Sequence, residues 1–139
     1  MRIVADASVL LKWFVQEEGA DVAAMLLDEH ELSAPVLVLA EVLNAAWKKQ
    51  RLGQIDDVTA RGICRRVAPP LVRLAALEDL APRAWRLARE LDHPVYDCFY
   101  LALAEQDDAT MVTADRRLLA RLAGTGWADR VKSLREWAG

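Results

Sequence analysis

Short apolar runs alternate with longer amphipathic ones along this chain. Residues 2–5 form a partly β-branched run that reads as a buried strand. Residues 8–14 and 20–28 read as helices, and 31–34 as a second strand stopped by Pro35. From 36 to 51, Leu39, Val42, Leu43 and Ala46 recur at helical spacing, and Gly53 supplies the stop. Asp56 or Asp57 opens a helix to residue 67, in which Gly62 costs about 1 kcal/mol relative to alanine. Pro69 and Pro70 break the chain before a strand at 71–74. Residues 81–91 are helical, with Ala84, Leu87, Ala88 and Leu91 on one face. Pro94 precedes an almost wholly apolar helix at 95–105. Strand at 110–113, helix at 116–122 and a last strand at 131–134 complete the reading, with Gly124 and Gly126 in the final loop.

Strands that alternate with helices predict an α/β fold whose parallel sheet is covered on both faces. With 139 residues, 54% hydrophobic, the chain suits one domain spanning residues 1–139 with a real core. No linker, repeat or low-complexity tract interrupts it. Cys64 and Cys98 form no CxxC pair, and His30 and His93 have no zinc-type spacing. The longest uncharged run, residues 32–40, is too short to span a membrane, and a strand at the very start leaves no room for a signal peptide. The expectation is a soluble cytoplasmic protein without a membrane partner. A net charge of −3 says little about an anionic substrate.

Against that pattern, four acids stand out because each adjoins or interrupts an apolar run: Asp6, Glu41, Asp97 and Asp115. A partly buried carboxylate needs a partner or gives up its charge. Ligands of parallel sheets bind at the carboxyl ends of the strands. Asp6 ends the first strand and Asp115 follows the strand at 110–113. Asp97 and Glu41 lie early in their helices. All four can therefore meet at one edge. At 5 Å and an effective dielectric near 20, two carboxylates repel by roughly 3 kcal/mol. Mg²⁺ or Mn²⁺ relieves this repulsion, since hard cations take oxygen ligands, and such an ion suits hydrolysis of a phosphodiester. Read singly, Asp6 and Asp115 fit an N-cap about as well as a site, and Glu41 fits a solvated helix face.

Other residues extend this picture. Glu41, Asn44, Lys48 and Arg51 share one helical stripe, on which Asn44 is a candidate donor to Glu41 and the cations read more readily as solvated surface. Lys12 and Arg116 are candidate substrate contacts. Tyr100, three residues after Asp97, reads as core bordering the site. The five tryptophans are scattered, which favours core or protein-contact roles over base stacking.

The segments Ile3-Val4-Ala5-Asp6-Ala7-Ser8, Ala40-Glu41-Val42-Leu43-Asn44, Val95-Tyr96-Asp97-Cys98-Phe99-Tyr100-Leu101-Ala102-Leu103-Ala104 and Val112-Thr113-Ala114-Asp115-Arg116-Arg117-Leu118 resemble the motifs of the PIN domain. Over essentially its whole length the chain is similar to VapC-type toxins of toxin–antitoxin pairs. The resemblance implies a three-layer α/β/α fold around a central parallel sheet. It implies a ribonuclease dependent on Mg²⁺ or Mn²⁺, with Asp6 and Asp97 as direct metal ligands. Glu41 is implied as a ligand of a second metal or a water-positioning group, and Asp115 as acting through a bound water. Ser8 and Thr113 match hydroxyls that orient carboxylates or water. The implied partners are an RNA substrate, a cognate antitoxin and a second copy of the chain.

The leading expectation is therefore a metal-dependent endoribonuclease. A PIN nuclease of RNA processing and a non-catalytic RNA-binding module are the alternatives. A phosphatase with Asp6 as nucleophile ranks low, because the acid such chemistry needs two residues later is Ser8 here.

Overall fold

A computed structural model describes residues 1–138. Five parallel strands form one sheet in the order β3-β2-β1-β4-β5, flanked by helices. The strands are β1 (Arg2–Ala5), β2 (Glu31–Pro35), β3 (Arg73–Ala75), β4 (Thr110–Thr113) and β5 (Val131–Ser133). Residues 3–5 of β1 are fully buried, as expected of a central strand covered on both faces. The register pairs Ala5 with Val112, so the next residues, Asp6 and Thr113, emerge side by side.

The helices are α1 (Ala7–Leu10), α2 (Ala20–Glu29), α3 (Leu37–Arg51), α4 (Asp57–Arg66), α5 (Leu77–Leu91), α6 (Val95–Gln106), α7 (Arg116–Leu122) and α8 (Leu134–Ala138). The most apolar of them, α6, lies across β1, β2 and β4 and buries Cys98 and residues 100–104. A short connection folds it back along α5, and the Arg83 guanidinium grips Glu105 across the pair at 2.7 and 3.0 Å. Among the described residues, no helix is long and apolar enough to cross a membrane.

Several boundaries differ from the sequence reading. The expected helix at 8–14 is α1 followed by a 3₁₀ turn, Leu11–Trp13, which brings the Trp13 indole N–H to the Ala23 carbonyl at 3.0 Å. Pro35 does not stop β2 but pairs with Ala75 at its end. The strand expected at 71–74 starts at Arg73, because Leu71 N–H is spent in a turn on the Ala68 carbonyl. Helix α5 begins at Leu77, four residues early. Glu78 and Asp79 suit its positive N-terminus, and Pro82 is tolerated with its ring exposed. Leu134 belongs to α8, a helix that short amphipathic spacing does not announce. Trp13, Trp127 and Trp137 pack against the core, whereas Trp47 and Trp85 stand 54% and 61% exposed.

Candidate active site

Asp6 sits where β1 becomes α1. Its extended backbone makes it the N-cap, and Oδ1 accepts from Ser8 N–H at 3.1 Å and Val9 N–H at 3.3 Å. Two hydroxyls complete its shell: Ser8 Oγ donates to Oδ1 at 2.5 Å, and Thr113 Oγ1 donates to Oδ2. Their direction is fixed from behind. Ser8 Oγ accepts from Ala114 N–H at 2.9 Å and Thr113 Oγ1 from Asp115 N–H at 3.0 Å, so each hydroxyl turns its proton toward Asp6. The turn from β4 into α7 thereby orients the acid that ends β1. Burial pushes the Asp6 carboxyl up to about 6; its hydrogen bonds pull against this, and the charge of Asp97 adds to it.

The other acids arrive from three further elements. Glu41, in the second turn of α3, accepts at Oε1 from the Tyr100 hydroxyl of α6 at 2.5 Å. Burial raises its carboxyl above the usual range, the Tyr100 hydrogen bond lowers it, and Asp97 raises it. Burial raises the Tyr100 phenol strongly, which keeps it protonated as the donor. Asp97, in the first turn of α6, takes a hydrogen bond at Oδ2 from His93 Nε2 at 2.7 Å. Asp115 caps α7, its Oδ1 accepting from Arg117 N–H at 2.9 Å and Leu118 N–H at 3.2 Å.

All four acids line one cleft of about 300 Å³, together with Ala7, Ser8, Asn44, Ala45, Lys48 and Tyr100. Thr113 stands behind Asp6, fully buried. The arrangement has a common logic. Glu41 is anchored through Oε1, Asp97 through Oδ2 and Asp115 through Oδ1, and the second oxygen of each has no hydrogen-bond partner among the described residues. Among the described residues, no lysine or arginine pairs with any of the four. Among the described residues, no three His, Cys, Asp or Glu side chains form a ready-made metal cage.

Lys12 and Arg116, the expected substrate contacts, do not line this cleft. They line a second one of about 430 Å³ beyond Ala114, with Glu18, Asp21, Ser133 and Arg135. Lys12 Nζ is committed to Glu17 at 3.2 Å and to the Glu18 carbonyl at 2.7 Å. On the α3 stripe, Asn44 and Lys48 reach the acidic cleft, whereas Arg51 lies over the Trp47 ring at 5.3 Å. Two anchoring roles escaped the sequence reading. Tyr100 is core and borders the site, as expected, but its hydroxyl also meets Glu41, and a buried phenol's need for a partner is the signal that points there. His93 has no zinc-type spacing, yet it stands four residues, one helical turn, before Asp97.

Residues 3–124 match the PIN domain. The chain is 34% identical over 119 residues to ribonuclease VapC9 of Mycobacterium tuberculosis, covering 84% of this chain and 87% of that protein. The chain belongs to the PIN-domain family, among its VapC ribonucleases. This PIN domain is also 29% identical over 121 residues to ribonuclease VapC3 of Pyrobaculum aerophilum, covering 85% of this chain and 92% of the relative. In three dimensions it superposes on a chain of a toxin–antitoxin complex from Klebsiella pneumoniae with a TM-score of 0.62, at 17% identity over 95% of this chain and 97% of the other. At that identity the likeness is one of fold.

Proposed function

We propose that this VapC-family PIN domain is a metal-dependent endoribonuclease and the toxin of a toxin–antitoxin pair. The observation that carries the reading is the set of four carboxylates in one cleft, three of them with an oxygen that has no partner among the described residues. The naming of its relatives as ribonucleases supports RNA as the substrate.

The donor set fits a hard cation. Mg²⁺ takes one or two carboxylates and keeps several waters, so a complete cage of side chains is not required. Asp6, whose carboxyl the charge of Asp97 raises, and Asp97 would be the direct ligands, with Glu41 and Asp115 acting beside them or through water. Bound Mg²⁺ or Mn²⁺ would supply a water of lowered pKa and neutralise charge on the phosphodiester. The protein's own groups do the rest. Ser8 and Thr113 keep Asp6 aimed into the cleft. The carboxyl of Glu41, raised by burial and steadied by Tyr100, accepts the proton of the attacking water. Asn44 lines the mouth as a hydrogen-bond donor, and Lys48, the cation lining the cleft, contacts an RNA phosphate.

The test is cleavage of a defined RNA with Mg²⁺ or Mn²⁺ titrated into metal-free protein, beside Asp97→Asn. Cleavage that rises with metal and is lost in the variant is expected; full cleavage in EDTA sinks the reading. The partners we propose are a cognate antitoxin and a second copy of the chain. Co-expression with the product of the adjacent gene, followed by light scattering, checks both.

A further inference from the structure

The four acids differ in how they are anchored. Asp6 is held by two hydroxyls and two backbone N–H groups, and Asp115 by backbone N–H groups. Glu41 is held by a buried phenol. Asp97 depends on a single side chain, that of His93, and nothing else among the described residues donates to it.

We propose that His93 is a positioning residue for Asp97, holding Oδ2 so that Oδ1 stays presented to the cleft. This rests on the metal-dependent reading above. Three observations carry it. The pair is sheltered, with the His93 and Asp97 side chains only 17% and 27% exposed, so the bond is not the weak solvent-screened kind found on open helix faces. The backbone of His93 is fixed independently of its ring. Asp92 before it turns through a positive φ of 49°, His93 N–H bonds the Ala88 carbonyl at 3.1 Å, and Pro94 after it restricts it to extended geometry. The loop is also clamped from across the site. Arg121 of α7 donates to the Leu91 carbonyl and, at 2.9 Å, to the Asp92 carbonyl. The helix that Asp115 caps thus steadies the loop that aims His93 at Asp97.

A histidine in this place does for Asp97 what Ser8 and Thr113 do for Asp6. It removes a rotation that ligand binding would otherwise have to freeze, and it fixes which oxygen faces the cleft. Outer partners of metal ligands of this kind are worth about 10–100-fold in metal affinity.

The experiment measures Mn²⁺ binding to metal-free protein by electron paramagnetic resonance, with thermal melting in EDTA run in parallel. The parent, His93→Ala and His93→Gln are compared, glutamine keeping an N–H donor at a similar reach. The expected result is Mn²⁺ affinity about tenfold or more weaker in His93→Ala. In His93→Gln the affinity returns to within a few-fold of the parent, and both variants melt in EDTA like the parent. RNA cleavage by His93→Ala should recover when Mn²⁺ is raised to saturation. Unchanged affinity in His93→Ala overturns the inference while leaving the metal-dependent reading intact. Equal losses of affinity in both variants, together with lower melting, overturn it in favour of a merely structural loop contact. A parent protein that binds no Mn²⁺ overturns both readings at once.

Discussion

Two clefts open on either side of the turn from β4 into α7, and they treat charge in opposite ways. In the larger, cations and acids satisfy each other: Lys12 pairs with Glu17, and Arg135 with Glu18 at 2.9 Å. In the smaller, among the described residues, no lysine or arginine pairs with the four acids, which are steadied by hydroxyls, an imidazole and backbone N–H groups. Hydroxyl and backbone donors fix direction without cancelling charge. The larger cleft sets both signs of charge side by side, whereas the smaller one keeps its negative charge in reserve for something from outside. Size is therefore a poor guide to chemistry in this molecule.

The sharpest way to break this contrast is to neutralise the smaller cleft. Asp6→Asn or Asp97→Asn should lower RNA cleavage by more than about 100-fold, beyond the usual loss of an outer partner. Single-turnover cleavage at saturating Mn²⁺ measures it, and residual activity within tenfold of the parent would remove either acid from the site.

The reserve of charge should also be visible as stability. The carboxyl of Asp6 is raised from 3.8 to about 6 in the folded state, mainly by burial. A raised acid contributes stability that is fully present below its unfolded pKa and is lost as pH rises through the folded one. The window is pH 4 to 6, and at about 1.4 kcal/mol per pH unit the loss is about 3 kcal/mol. In EDTA, Asp6→Asn should therefore gain on the parent by about that amount between pH 4 and pH 7. Chemical denaturation across that range checks it; a gap that does not change with pH would contradict the burial account.

Tyr100→Phe removes the donor to Glu41 and keeps the packing volume. Cleavage should fall about tenfold, and stability should drop by about 1.5–3 kcal/mol, as for a lost hydrogen bond to a charged group. Lys48→Ala should flatten the salt dependence of RNA binding by about 0.7, the slope expected of one single-strand phosphate contact. The smallest effect is expected in the other cleft. Lys12→Ala should leave that slope unchanged, because its ammonium is already spent on Glu17 and the Glu18 carbonyl. If Lys12→Ala or Arg116→Ala flattens it as much as Lys48→Ala, the two clefts share the RNA and the contrast fails.

Much of the fold was legible because its signals are local. The β-branched run of β1, the apolar stripe of α3 and the almost unbroken apolar run of α6 each announce an element, and their alternation announces the parallel sheet. Errors gathered where a local rule meets a tertiary override. The helix expected from residue 81 starts at Leu77, with Pro82 inside it on the exposed side, and Leu134 reads as strand yet starts α8. At the candidate site, the four acids were visible as polar residues set against apolar runs. Their anchors were visible unevenly. Ser8 stands two residues from Asp6, within reach of sequence reasoning, but the bond between Tyr100 and Glu41 spans 59 residues. Lys12 follows Ser8 by one helical turn and is expected to meet substrate. The 3₁₀ turn at Leu11–Trp13 instead leaves it beside Glu17.

The bond from Thr113 to Asp6 joins residues 107 positions apart. During synthesis, Asp6 is therefore made early and supported late. A ribosome that has translated the first hundred residues carries Asp6, Glu41 and Asp97 but neither β4 nor the hydroxyl that completes the Asp6 shell. The carboxylate at the end of β1 is thus fully oriented only once the segment that carries β4 has emerged and joined the sheet.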